Sequence, residues 1–222
     1  MRAFVTLLLL ALAGCAPATP VTEPSGGSML FTGIHVHVPA GTTTTDVAVA
    51  GGRVTASGVA GEVIDGSGLA MIAIVPAPDG RGHVVGAVEP GIPADLLVVP
   101  RRVMPRPGTP WWRVIISRGD VRALVSRGRI VVRDGEPLDR PANPDGERVG
   151  VWVDRADWLH QELLPEGRYD ETRGGRQHAY TGRYWLDGDR IDYLDDSGFY
   201  AFGDFIRDEL YHAEFVMRLR QP

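Results

Sequence analysis

The chain has 222 residues, 44% hydrophobic and 23% charged, an ordinary globular composition. All 23 basic residues are Arg and none is Lys, which excludes Lys Schiff-base chemistry, a P-loop Lys and a metal site bridged by a modified Lys. One Cys and a net charge of −5 exclude an intramolecular disulfide framework and a Cys-rich zinc site, and argue against a nucleic-acid partner.

Residues Met1 to Cys15 pair a basic Arg2 with an apolar run from Ala3 to Ala13, closing on Leu12-Ala13-Gly14-Cys15. The run is too short for a transmembrane helix, which needs about 20 residues. This segment resembles the signal and lipobox of bacterial lipoproteins. The resemblance implies a signal peptide over 1–14, lipidation of Cys15 and attachment to a membrane outside the cytoplasm. Ala16 stands where an Asp would signal inner-membrane retention, so the outer membrane is favoured if the cell is Gram-negative. Residues 15–28, rich in Ala, Pro, Thr, Ser and Gly, read as a flexible tether.

Beyond the tether the chain divides by charge. Val21 to Gly146 carries 12 Arg against 12 acidic residues, whereas Glu147 to Pro222 carries 10 against 16 and 13 of the 17 aromatics. Residues 139–146, Asp-Arg-Pro-Ala-Asn-Pro-Asp-Gly, form a turn-rich linker without apolar periodicity. The expectation is two domains, over 29–138 and 147–222.

The first domain reads as short β-branched runs: Ile34–Val38, Asp46–Ala50, Arg53–Ser57, Glu62–Asp65, Ala94–Val99, Arg113–Ser117, Arg122–Ser126 and Arg129–Arg133. No window sustains a helical apolar period. Thr44-Thr45-Asp46 through Gly51-Gly52-Arg53, then Gly61 through Asp65-Gly66-Ser67-Gly68, resembles the N-terminal arm of the amidohydrolase superfamily's composite β-domain. Pro90-Gly91-Ile92-Pro93-Ala94-Asp95-Leu96 and Gly128 through Asp134-Gly135 are similar to its C-terminal arm. The resemblance implies a composite-type β-sandwich that normally flanks a metal-dependent catalytic barrel. Here only Leu69 to Val85 stands between the arms, with His83 and Asp79 as its metal-ligand types. A hydrolytic zinc site needs three protein ligands. A residual metal-dependent hydrolase is therefore the least favoured reading: no catalytic residue, metal or cofactor is assigned, and the protein is read as not an enzyme. Loss of the barrel also predicts an apolar face that the second domain or a partner covers.

Four further motifs have ordinary explanations. His35-Val36-His37 has metal-ligand spacing but lies inside a strand, where hydrogen-bonded histidines suffice. Arg118-Gly119-Asp120 and Ser67 read as turns. Trp111-Trp112 is open between an exposed aromatic platform and packing against the second domain.

The second domain reads as strands Gly150–Asp154, Leu159–Leu164, Arg168–Glu171, Ala179–Leu186, Arg190–Leu194, Phe199–Phe205 and Leu210–Leu219, joined by turns such as Asp187-Gly188. A meander closing on itself removes its edges. Alternation puts Tyr211, Phe215, Met217 and Leu219 on one face of the last strand and His212 on the other, and Tyr180, Gly182, Tyr184 and Leu186 on one face of the Ala179 strand. Glu162-Leu-Leu-Pro165-x-Gly167-Arg168-Tyr169-Asp170, Ala179-Tyr180-x-Gly182-Arg183-Tyr184 and Ile191-Asp192-Tyr193-x-Asp195-Asp196-x-Gly198-Phe199 resemble a small bacterial family of unknown function. That family implies a streptavidin-like, calycin-type antiparallel barrel. The fold class is thus all-β throughout.

Aromatics in so small a barrel serve to fill it, or to line a pocket at one mouth. The ligand-binding candidates are Trp152, Tyr180, Tyr184, Tyr193, Asp195 and Phe199. Asp192, Asp195 and Asp196 form a charged patch with carboxylates suited to a cation, although strand ends and a turn also explain them. The favoured function is a lipid-anchored, extracytoplasmic protein that binds a small, partly apolar ligand in the barrel. The alternative is an interaction module docking an envelope protein through the first domain.

Overall fold

The computed structural model describes residues 27–56, 61–140, 146 and 148–221. The expected signal peptide with Cys15, most of the expected tether and the core of the expected linker lie outside the described residues.

The chain is all-β. The first module holds β1 (Met29–Val38), β2 (Gly41–Ala50), β3 (Arg53–Thr55), β4 (Glu62–Asp65), β5 (Leu69–Pro76), β6 (His83–Gly86), β7 (Leu96–Pro100), β8 (Ile115–Ser117), β9 (Ala123–Ser126), β10 (Arg129–Arg133) and β11 (Glu136–Pro137). All but β8 join one mixed sheet of order β11-β10-β9-β7-β5-β1-β2-β3, with β4 parallel to β1 and β6 antiparallel to β5.

Leu69 to Val85, where no strand was expected, supplies β5 at the middle of this sheet and β6 beside it. β5 pairs with β1 in parallel and with β7 antiparallel. Its apolar run does not alternate with polar residues because both faces are covered: Ala70, Ile72 and Ile74 enter one core, Met71 and Ala73 another.

The second module holds β12 (Gly150–Asp154), β13 (Leu159–Leu163), β14 (Arg168–Arg173), β15 (Arg176–Asp187), β16 (Arg190–Asp195), β17 (Phe199–Ile206), β18 (Glu209–His212) and β19 (Phe215–Leu219). Each pairs antiparallel with the next, and β12–β19 and β16–β17 pairings complete a closed eight-stranded barrel. Closure leaves no free edge in the ring.

The expected strand Leu210–Leu219 is two strands. Ala213, at φ 53, turns the chain between β18 and β19. The turn resets alternation, so Leu210 and His212 face inward while Tyr211 faces out. The sequence carries no Gly at this turn, and a left-handed Ala has no signature of its own.

The modules are joined by backbone and core. β8 leaves the first sheet and pairs antiparallel with β17, Tyr200 opposite Ile116. Ala213 N donates to Trp112 O at 2.7 Å. Trp185, Leu194, Tyr200 and Phe202 on the outside of the barrel pack into one cluster with Ile72, Leu97, Trp111 and Leu124. The barrel thus covers much of the apolar face of the first sheet.

Candidate functional site

Four loops gather at one end of the barrel: 155–158, 174–175, 196–198 and 213–214. Asp154 shapes the first by accepting from the amides of Trp158 and Leu159, each at 2.8 Å. Gly174 takes φ +55 against the Trp158 indole; a Cβ there would lie 2.7 Å from Nε1. The Trp158 ring, 45% exposed, stacks on Phe215 at 5.7 Å. The Arg173 guanidinium lies over Tyr180 at 4.5 Å and Phe215 at 5.7 Å. Three rings and one cation therefore form a layer across this mouth.

Beneath it lies a buried polar set. Arg173 Nε donates to Glu171 Oε2 at 2.8 Å, and Glu171 is almost wholly buried. Gln161 Nε2 donates to Glu171 Oε1 at 3.4 Å and Gln161 Oε1 accepts from the Tyr193 hydroxyl at 2.9 Å. The His212 ring sits 4.6 Å from the Tyr193 ring, and its Nδ1–H donates to Phe202 O at 3.0 Å, which leaves Nε2 as an acceptor. Burial holds the Tyr193 hydroxyl well above its ordinary pKa, reinforced by Glu171. Burial lowers the His212 pKa, with Arg173 adding and Glu171 opposing. The set thus joins the Glu171–Arg173 pair to an imidazole and a phenol that burial holds neutral at neutral pH.

The six candidate residues do not converge on one wall. Trp152, Tyr184 and Tyr193 are buried within the barrel core. Trp152 donates to Arg148 O, and the Tyr184 hydroxyl to Leu164 O at 2.8 Å, so both serve the end opposite the mouth. Asp195 accepts from the Tyr169 hydroxyl at 2.7 Å and from Ser197 N, closing the β16–β17 turn. Tyr180 and Phe199 are exposed, at 44% and 47%. Tyr180 shares the mouth with Arg173, Trp158 and Phe215. Glu171, Gln161, Arg173 and His212 were not singled out as site residues from the sequence; the expected strand stopped at Glu171, whereas β14 runs on to Arg173 and so puts the two on one face.

The other motifs resolve individually. His35 Nδ1 meets Thr44 Oγ1 at 3.3 Å and His37 Nε2–H donates to Pro105 O at 3.0 Å, so both are hydrogen-bonded strand residues. Arg118-Gly119-Asp120 is a 3-10 turn whose Arg pairs with Glu136. Ser67 N donates to Asp65 Oδ1 at 2.9 Å, a turn after β4. Trp111 is fully buried, stacked on Phe202, whereas Trp112 leans on Tyr211 at 6.0 Å. Asp192 pairs with Arg140 and Asp196 with Arg168, so the acidic patch separates into individual partnerships. Among the described residues no three His, Cys, Asp or Glu side chains group as metal ligands.

A second concavity lies between the modules, where the loop joining β5 to β6 meets the outer face of the β17–β18 hairpin. Two adjoining hollows of about 340 and 490 Å³ share Asp79, Arg81, Ile206 and Tyr211. In the first, His83 Nδ1 donates to Asp204 Oδ1 at 2.6 Å, and the His83 amide reaches Oδ2 at 3.2 Å. Asp204, on β17, is fully buried. His83 is thereby fixed to the barrel with Nε2 as its remaining ring nitrogen.

Comparison with known proteins matches residues 145–219 to the family described as Agrobacterium tumefaciens protein Atu4866. The solution structure of Atu4866 from Agrobacterium tumefaciens is 44% identical, covers 38% of this chain and 100% of its own, and superposes with a TM-score of 0.32. No curated protein sequence matches the chain.

Proposed function

Through residues 145–219 the chain belongs to the Atu4866 family, and from that premise we propose that it is a non-catalytic binding protein of the cell envelope. It holds a small, partly aromatic or apolar ligand at the mouth of its barrel. The observation that carries this reading is the layer of Trp158, Tyr180 and Phe215 around Arg173, set over the buried Glu171, Gln161 and Tyr193. Rings supply apolar area, while a cation and a few polar groups set orientation. Because Tyr184 and Trp152 fill the far end, the ligand sits at the rim rather than deep inside.

Three finer assignments belong to this reading. The closed eight-stranded meander supports a streptavidin-like barrel. We read the first module as an amidohydrolase-type composite β-domain without its catalytic barrel, and the pairing of its two arms through β5 supports that. The envelope location and the lipid on Cys15 rest on the Met1–Cys15 segment. Docking to an envelope partner would use the outer margin of the first module, where Val63 is 66% exposed.

The test is a thermal-shift screen of small aromatic and apolar compounds against the full chain, with Tyr180→Ser as the control variant. A compound that raises the melting temperature of the parent but not of Tyr180→Ser is the expected result. Stabilisation that is equal in both, or none across the screen, overturns the assignment to the mouth.

A further inference from the structure

We infer that the cleft between the β5–β6 loop and the β17–β18 hairpin is a second binding site, for an organic anion with a flat apolar body. Its two hollows, about 340 and 490 Å³, are each of the size that holds a small molecule, and they differ in character. One is lined by Arg81, His83 and Arg207. The other is walled by Pro78, Val84, Pro110, Trp112 and Ile206, with Tyr211 at the junction.

Charge accounting decides the sign of the ligand. Three carboxylates also line the polar hollow: Asp79, Asp189 and Glu209. Each is engaged. Asp189 accepts from Arg148 at 2.6 Å, and Glu209 from Arg218 at 2.8 Å and the Tyr211 hydroxyl at 3.1 Å. Asp79 Oδ1 accepts from the Arg81 amide at 3.0 Å, which forms the loop. The guanidiniums of Arg81 and Arg207 have no carboxylate partner among the described residues. Against the single unpaired charge of Asp79, the two uncommitted guanidiniums lining this hollow leave a net positive charge that suits a carboxylate, sulfonate or phosphate oxygen.

Position is fixed from both modules. Asp204, buried on β17, holds His83 from below, and Gly82 must be Gly because a Cβ would lie 2.8 Å from Asp204 Oδ2. The apolar wall then takes the ligand body, with the Trp112 ring beside Tyr211 providing flat surface.

The site is independent of the barrel mouth, and one experiment separates them. Amide NMR spectra of the full chain are recorded with indole-3-acetate, naphthalene-2-sulfonate and phenyl phosphate, and with uncharged indole-3-acetamide as control. Saturable shifts at Gly80, Gly82, Arg207 and the Trp112 indole are expected from at least one anion, bound roughly tenfold more tightly than the amide. The double variant Arg81→Gln/Arg207→Gln, with its other amide signals unchanged, should weaken that binding about tenfold. Absence of saturable shifts from all three anions, equal binding of the amide, or indifference to the double variant overturns the proposal. Shifts centred on Trp158, Gly174 and Gly175 would put the ligand at the barrel mouth, and they too overturn the cleft.

Discussion

Trp111 lies flat on Phe202, ring centroids 4.0 Å apart at an interplanar angle of 28°, and the two rings belong to different modules. They sit in one buried cluster with Ile72, Leu97, Tyr200 and Trp185. A core shared in this way makes each module part of the other's interior.

The first consequence concerns cooperativity. Urea unfolding followed by fluorescence and by circular dichroism should give coincident single transitions. Trp111→Ala should lower stability by about 3–5 kcal/mol. Trp111→Phe should cost less, since the indole Nε1–H is buried without a hydrogen-bond partner. Two separated transitions in the parent protein would contradict the shared core.

Arg190 makes the polar counterpart of that junction. It is 7% exposed and bridges Asp95 of the first module at 2.9 Å and Asp187 of the barrel at 2.7 Å. Arg190→Met leaves two carboxylates facing each other with reduced compensation, and should destabilise by about 3–5 kcal/mol. The urea midpoint measures it.

Acid sensitivity follows from His212. Burial lowers its pKa from 6.5 in the folded state, so the unfolded chain binds the extra proton first. The stability that depends on the neutral imidazole is therefore complete above about pH 6.5 and declines as the pH falls toward the folded value. His212→Gln should show a flatter stability profile between about pH 7 and 5. His35 is lowered too, by burial and then by Arg101, so the difference between parent and variant is the quantity to read. Identical slopes would remove His212 from the account.

Gly182 tests the packing beneath the mouth. A Cβ there would lie 2.3 Å from Leu194 O and 2.7 Å from the Tyr169 ring, which crosses this glycine to reach Asp195. Gly182→Ala should cost about 1–3 kcal/mol and shift the ring signals of Tyr169 in NMR spectra.

The barrel was the more legible half. Its strands alternate around Asp-Gly and Pro-x-Gly turns, and β12 and β16 fall within a residue of their expected bounds. What escaped did so for physical reasons. Leu69–Pro76 is apolar without alternation because both of its faces are buried, and periodicity cannot distinguish such a strand from a linker. The β18–β19 break sits on a left-handed Ala rather than a Gly. At the mouth the aromatic density was visible, but which rings stay exposed depends on Arg173 and on how far β15 runs past β16. The inter-module cleft needs residues 121 positions apart, His83 and Asp204, and no local pattern reports such a meeting.

The pairing of β8 with β17 also bears on what happens when the chain is cut. Cleaving the backbone between Arg140 and Arg148 would sever the covalent link while leaving the β8–β17 ladder, the Arg190 bridge and the Trp111–Phe202 stack in place. The two halves would then behave as complementary fragments: a nicked protein that still elutes as one species. Expressed alone, the barrel half would carry Trp185, Tyr200 and Phe202 as an adhesive surface, and adding the other half should restore its solubility.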